Sequence, residues 1–191
     1  ACENGDAALI ELLLGAGAEA DAALPGGETA LMTAARTGKL DAVKVLLAHH
    51  ADPNAKESKR GQTAMMWAAA EGNADVVKEL IRAGADLHAR LDSGFTPLLF
   101  AVREGKTQAV KALLEAGADV NESIQPAHRF AGGKAPRAGT TALHMAVDNA
   151  HYELAAFLLD KGADPNAIGP GYTPLHIVTW IRKPGGGDND P

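Results

Sequence analysis

The stretch Thr96-Pro97-Leu98-Leu99-Phe100-Ala101 decides the fold, because its pattern returns along the chain at a nearly constant interval. The pattern Thr-x-(Leu/Met)-x-x-Ala begins at Thr29, Thr63, Thr96 and Thr141, and less perfectly at Thr173. A second marker, an Ala-Asp pair, advances in phase with it and ends at Asp52, Asp86, Asp119 and Asp164. Two markers that share a period of about 33 residues, with one longer interval, predict a chain of stacked supersecondary units.

The repeated segments resemble the ankyrin repeat. The segments that carry the resemblance are Thr96 to Ala101, Thr141-Ala142-Leu143-His144-Met145-Ala146 and Thr173-Pro174-Leu175-His176, paired with endings such as Gly162-Ala163-Asp164-Pro165-Asn166. The resemblance covers nearly the whole chain. It implies an all-α solenoid of stacked helix-turn-helix units with short hairpin fingers, and it implies a non-catalytic platform that binds another protein.

Local chemistry supports the same layout independently of the resemblance. Each repeated Thr suits the N-cap of a first helix, and a Pro directly after it, as at Pro97, suits the first helical position. Glycines about nine residues later predict the end of that helix. Apolar residues then return at helical spacing and predict a second helix in each unit, as in Leu40, Val43, Leu46 and Leu47. Such short helices need neighbours, so adjacent units are expected to bury each other's faces.

The register divides residues 1–191 into one predicted domain. It contains a half repeat over residues 1–28, repeats that start at Thr29, Thr63, Thr96 and Thr141, and a partial repeat over residues 173–191. Both end units carry apolar residues where capping repeats are normally polar. We therefore expect the chain to be a fragment of a longer protein, with its end faces covered by further chain or by self-packing between copies.

Composition argues against several other classes of protein. The net charge of −6 makes a nucleic acid an unexpected partner, because the chain has no excess of cations. One cysteine gives no disulfide framework, and no apolar run is long enough for membrane insertion. No metal-ligand spacing, phosphate loop or nucleophile with a nearby base is evident, so we predict no cofactor, no metal and no catalytic residue.

Two alternatives to a binding scaffold remain open. The first is that the chain is the targeting arm of a larger enzyme, in which case this part still only binds. The second is that the chain is a structural spacer. Compartment and partner identity are not encoded in the scaffold, because function does not follow from fold alone.

The resemblance implies that a partner meets the finger tips and the exposed side of the first helices. By register, the corresponding first-helix positions are Arg36, Trp67, Glu71, Phe100, Arg103 and Glu104. Trp67 and Phe100 occupy equivalent places in adjacent repeats, and aromatic residues concentrate binding energy at interfaces. Packing between helices explains the two aromatics equally well, and both interpretations stay open here.

The strongest departure from the repeat pattern is a long finger over residues 122–139. It is longer than its siblings by about a dozen residues and is basic on an acidic protein. Long irregular loops often carry function, and we predict that Arg129, Phe130 and Arg137 contact the partner. The alternative is a tolerated surface insertion, because doubling a loop costs only about 0.6 kcal/mol of closure entropy.

Two histidines at the fourth position of the repeat pattern, His144 and His176, are predicted to be structural. In the resembled family this ring hydrogen-bonds neighbouring turns. The equivalent positions in the first three repeats hold Met32, Met66 and Leu99, so the polar links are expected to be weaker there.

Overall fold

The computed structural model describes residues 6–127 and 137–181, the last two by backbone alone. This part of the chain forms helices and isolated β-bridges, with no strand. Its helices are α1 (Ala7–Gly15), α2 (Ala30–Arg36), α3 (Leu40–Ala48), α4 (Ala64–Glu71), α5 (Ala74–Arg82), α6 (Pro97–Arg103), α7 (Thr107–Glu115), α8 (Ala142–Asp148), α9 (Tyr152–Asp160) and α10 (Pro174–Ile181). The predicted all-α repeat fold is confirmed.

The helices form two layers. The first helices α2, α4, α6, α8 and α10 pack on one another in chain order and make the inner layer. The second helices α1, α3, α5 and α7 pack in the same order, and α9 packs on α8, to make the outer layer. Each unit thus buries its faces against its own partner helix and against its neighbours, as a solenoid requires.

Threonine side chains start four of the first helices, as the repeat pattern predicts. The hydroxyl oxygens of Thr29, Thr63, Thr96 and Thr141 accept from the backbone N–H three residues on, at 3.3 to 3.4 Å. Each bond satisfies one of the amides that the first turn leaves unpaired. The helices therefore begin where the sequence places them, because the cap is a local interaction.

The turns between helices need left-handed backbone, and glycine supplies it at most of them. Gly72 has a φ of 83° at the end of α4. Two other residues adopt the same conformation: Ala150, between α8 and α9, has a φ of 59°, and His50, after α3, has a φ of 65°. A Cβ atom makes this conformation unfavourable, so both residues are strained points in an otherwise regular framework.

The core is a continuous strip between the two layers, from Ile10 to Ile177. Small residues line the contacts between first helices: Ala34, Ala35, Ala68 and Ala69 are completely buried. Larger aliphatic side chains such as Leu80 and Leu113 fill the space between layers and are also completely buried. Alanine at these contacts lets neighbouring helices approach closely, so the thin layers still exclude water.

The loops that precede the first helices lie side by side along one edge. We call them the first to fifth fingers, over residues 21–28, 54–62, 88–95, 121–140 and 166–172; of the fourth, the structure describes residues 121–127 and 137–140. Asn54, at the start of the second finger, contacts the turn that follows α5 and precedes the third finger, because its side chain donates to the Gly84 carbonyl at 3.2 Å and accepts from the Asp86 amide at 2.7 Å. Asn121 repeats this arrangement with Gly162 and Asp164. These links fix the spacing of the fingers and hence the surface they form.

Candidate functional site

The exposed side of the first helices and the adjoining fingers form one continuous surface, which we call the inner face. Two hollows lie on it, of about 860 Å³ and about 500 Å³. Both are lined by Phe95 at the end of the third finger and by Arg103 near the end of α6. These two residues therefore lie at the boundary between the hollows.

Arg36 and Trp67 meet across neighbouring first helices. The guanidinium carbon of Arg36 lies 5.3 Å from the centroid of the indole ring, which is a cation–π distance. Glu28 of the first finger lies 3.7 Å from Arg36 and accepts a hydrogen bond from the Thr33 hydroxyl. Trp67 is partly buried against the core, and its remaining surface is presented beside an arginine.

Phe100 and Arg103 of α6 form a second cluster of aromatic rings and arginine with Phe95 of the third finger. The two phenyl centroids are 5.2 Å apart. The Arg103 guanidinium carbon lies 5.1 Å from the Phe95 centroid, and its Nε donates to Glu104 at 2.8 Å. Phe100 is only 5 % exposed, so this ring packs between helices. Phe95 and Arg103 lie above it, toward solvent.

The larger hollow runs between the second and third fingers, and we call it the finger groove. Its cationic lining residues are Lys56, Lys59, Arg60, Arg90 and Arg103, and its acidic ones are Glu57 and Asp92. Leu91, Phe95 and Phe100 supply apolar surface at its base. The finger groove thus combines a basic rim with an apolar base on a chain whose net charge is −6.

Glu57 holds the second finger in shape. Its carboxylate accepts from the backbone amides of Lys59 at 2.6 Å, Arg60 at 2.6 Å and Gln62 at 3.2 Å. Burial pushes the pKa of Glu57 upward, but these hydrogen bonds and the charge of Arg60 together lower the pKa below its ordinary value. The hydrogen bonds use the backbone of Lys59 and Arg60, and both residues line the finger groove.

Glu122 and Arg90 join the third finger to the fourth. The buried Glu122 carboxylate accepts a short hydrogen bond from the Thr96 hydroxyl. Burial raises the pKa of Glu122, and the Thr96 hydrogen bond and the charge of Arg90 oppose that rise. Arg90 itself donates to the carbonyls of Gly94 and Ser123, each at 2.9 Å. Two carbonyls therefore hold the Arg90 guanidinium in place where it lines the finger groove.

The long fourth finger is anchored at both sides of its base. Ile124 closes it, donating to the Thr140 carbonyl and accepting from the Gly139 amide. The Ala127 amide donates to the Asp92 carbonyl of the third finger, and Arg137 donates to the Tyr172 hydroxyl of the fifth. Arg137 also lines the smaller hollow, together with Arg103. The predicted contact residues Arg129 and Phe130 lie outside the described residues.

His144 connects a first helix to the next finger. Its Nδ1 lies 2.7 Å from the Thr141 hydroxyl and its Nε2 lies 2.9 Å from the Tyr172 carbonyl. A carbonyl only accepts, so Nε2 carries the proton and Nδ1 accepts from Thr141. The ring is completely buried. His144 is thus placed as a structural link, as the sequence predicts.

The predicted contact residues occupy separate parts of the inner face. Arg36 and Trp67 form one group, and Phe100, Arg103 and Glu104 form another. Glu71 is the exposed last residue of α4. The helices α4 and α6 that carry Trp67 and Phe100 pack against each other, but each ring has its own arginine.

Residues 6–127 and 137–179 hold no group of three His, Cys, Asp or Glu side chains placed to bind a metal ion. Over the described helices, none has the length and apolar character needed to cross a bilayer.

Sequence reasoning missed the finger groove. It followed the exposed positions of the first helices and the unusual fourth finger, whereas the groove is built from the second and third fingers. A signal was present in the clustered cations Lys56, Lys59 and Arg60 in one short loop. The pairing of that loop with Arg90 and Phe95 is a contact between residues about 30 positions apart, which local patterns do not display.

The chain matches a family model described as ankyrin repeats, in three overlapping copies over residues 1–90, 50–124 and 88–169. Comparison with curated proteins gave no match.

Proposed function

This chain belongs to the ankyrin repeat family, and from that premise we propose that it is a non-catalytic scaffold that binds one protein partner through its inner face. Ankyrin repeats generally mediate protein–protein interaction. The proposal assigns this binding to particular residues: Arg36, Trp67, Glu71, Arg103 and Glu104 on the first helices, and Arg129, Phe130 and Arg137 on the fourth finger. Phe100 supports Arg103 from below.

One observation carries the proposal: each of two neighbouring first helices carries an aromatic ring with an arginine over it, half-buried at Trp67 and buried at Phe100. Arg36 covers Trp67, and Arg103 covers Phe95 and Phe100. Tryptophan and arginine are the residues in which interface energy concentrates. An arginine held against a ring is also pre-organised, so less side-chain freedom is lost when a partner binds.

Charged residues form a polar rim around these clusters. Glu104 pairs with Arg103, and Glu28 lies beside Arg36. Rim charges of this kind govern the rate and specificity of encounter more than the final affinity. The inner face therefore has the arrangement expected of a binding surface, with aromatic anchors inside and exposed charges around them.

The test is affinity capture with matched variants. The wild-type chain, an Arg36→Ala/Trp67→Ala variant and a Lys111→Ala/Tyr152→Ala variant are each used to capture proteins from lysate of the source cells. Lys111 and Tyr152 lie on the outer layer, so the second variant removes a cation and an aromatic ring from the opposite side. We expect a partner that is lost with the inner-face variant and kept with the outer-layer variant.

Two results would contradict the proposal. A partner that depends on Lys111 and Tyr152 instead would place binding on the outer layer. Capture that neither variant alters, with both variants folded by circular dichroism, would remove the inner face as the binding surface and favour a spacer.

A further inference from the structure

We propose that the finger groove binds an acidic segment of the protein partner, with Asp and Glu carboxylates seated on its basic rim. This inference rests on the proposed function, because it names the chemistry of the partner at one part of the inner face. The observation behind this inference is that the cationic second finger, Arg90 and Arg103 line one groove with an apolar base.

The charge of the finger groove is opposite to that of the chain. Five cationic and two acidic side chains line it, whereas the whole chain has a net charge of −6. Charges gathered in a concave surface focus the electrostatic field and raise the local concentration of oppositely charged ligands. An acidic segment is therefore drawn to this groove and repelled by most of the remaining surface.

Glu57, an acidic residue of the finger groove, is affected by the charge of Arg60 but makes no ion pair within 4 Å with the cations of its own finger. The Glu57 carboxylate is occupied by three backbone amides of its own finger. Within residues 6–127 and 137–179, no carboxylate lies within 4 Å of the ammonium groups of Lys56 or Lys59, or of the Arg60 guanidinium. These three cations are thus available to carboxylates from outside the chain.

Two arginines in the groove are held in place before any ligand arrives. Arg90 is held in place by hydrogen bonds from its guanidinium group to the neutral carbonyls of Gly94 and Ser123. Arg103 rests on Phe95 and Phe100 and contacts Glu104 through Nε. The guanidinium group matches a carboxylate with two parallel hydrogen bonds, so fixed arginines suit the side chains of Asp and Glu.

The dimensions of the finger groove suit a short peptide. Its volume of about 860 Å³ lies in the range of sites that hold a ligand of several residues. Leu91 and Phe95, 8 % and 9 % exposed, offer a limited apolar contact at its base. We therefore expect a segment in which acidic residues flank an apolar side chain.

Peptide selection tests this inference without knowledge of the natural partner. A phage-displayed library of random dodecapeptides is selected on the wild-type chain. The selected peptides are then titrated against Lys59→Glu/Arg60→Glu and against Lys111→Glu/Lys161→Glu, a charge-matched control on the outer layer. Lys59 and Arg60 donate to the Glu57 carboxylate through their backbone amides. The charge of both side chains can therefore be reversed without removing the groups that make those hydrogen bonds.

We expect Asp and Glu to be enriched in the selected peptides, binding to weaken at least tenfold with the finger variant, and little change with the control. Binding should also weaken as salt rises, because exposed charges are screened. Lys56→Glu/Lys59→Glu provides a second variant if the first is not folded by circular dichroism.

The outcomes separate this inference from the proposed function. Peptides that lack acidic enrichment, ignore the finger variant and are lost with Arg36→Ala/Trp67→Ala would overturn the acidic partner and leave the scaffold proposal intact. Peptides that bind only the outer layer, or a library that yields no binder, would overturn both.

Discussion

The guanidinium carbon of Arg103 lies 4.9 Å from the centroid of the Phe100 ring, with the cation exposed and the ring 5 % exposed. This relationship connects the core to the inner face, because a ring buried between helices positions a charge at the surface. The same arrangement places Arg36 over Trp67 on the preceding first helices. The repeat fold thus fixes the position of the surface arginines as well as the core.

The two members of the Arg103–Phe100 pair should differ in their effect on stability. We expect Phe100→Ala to lower the free energy of unfolding by about 3 kcal/mol or more, because it removes a buried ring. Arg103→Ala should cost only about 0.5–1 kcal/mol, the usual value of an exposed cation–π contact. Urea denaturation followed by circular dichroism measures both. Equal losses would mean that Phe100 is not the packing residue described here.

Ala150→Gly should stabilise the chain. Ala150 has a φ of 59° where the equivalent Gly105 has a φ of 65°, so glycine removes a steric penalty of about 1 kcal/mol. Ala156→Gly, at an exposed position inside α9, is the control and should cost about 1 kcal/mol through helix propensity. Thermal unfolding of both variants checks this. A lower midpoint for Ala150→Gly would show that its Cβ contributes packing that outweighs the strain.

Glu122 should make stability fall as pH rises. Burial raises the pKa of Glu122 above its ordinary value of 4.5, so the folded chain binds this proton more readily than the unfolded chain. The stabilisation that comes from this difference is fully present below the pKa that Glu122 has in the unfolded chain. It is lost as pH rises through the pKa that Glu122 has in the folded chain. Glu122→Gln keeps an acceptor for Thr96 and removes the titration. We therefore expect the variant to gain stability relative to wild type from pH of about 4 to about 7.

Denaturation midpoints over that pH range measure the effect, with the exposed Glu115→Gln as control. A difference between wild type and Glu122→Gln that stays constant with pH, or that shrinks toward neutrality, would contradict the raised pKa.

His144→Met should destabilise the chain although methionine occupies the same register position at Met32 and Met66. The substitution removes the donor to the Tyr172 carbonyl and the acceptor for the Thr141 hydroxyl. Leaving such buried groups unpaired costs about 1–3 kcal/mol. His176→Met, at an exposed site, should cost less. Chemical denaturation of the two variants gives the comparison, and an equal or smaller cost at His144 would contradict its structural role.

Much of the framework is predictable from the sequence because it depends on local interactions. The caps at Thr29, Thr63, Thr96 and Thr141 need only the next three residues. The apolar spacing of the second helices indicates their buried sides, and Val43, Val77 and Leu113 are completely buried, as that spacing predicts. The final helix begins at Pro174, directly after the Thr that predicts it.

The candidate site was less predictable because it depends on contacts between units. The register places Trp67 and Phe100 at the same position, yet Phe100 is covered by Phe95 from its own finger and Trp67 has no equivalent cover from Gln62. Likewise, the sequence shows Arg90 only as a cation in a loop. The structure shows that Arg90 donates to the Ser123 carbonyl of the fourth finger. Register gives the position of a residue, and the neighbouring finger decides its exposure.

Oxidative footprinting of the complex tests the central claim most directly. Once a partner is captured, the free chain and the complex are exposed to hydroxyl radicals, and oxidation of Trp67 and Tyr152 is measured by mass spectrometry. The two aromatic residues lie on opposite layers of one molecule, so each is an internal control for the other. Binding through the inner face predicts that the partner protects Trp67 and leaves Tyr152 as reactive as before; protection of Tyr152 with Trp67 unchanged would contradict it.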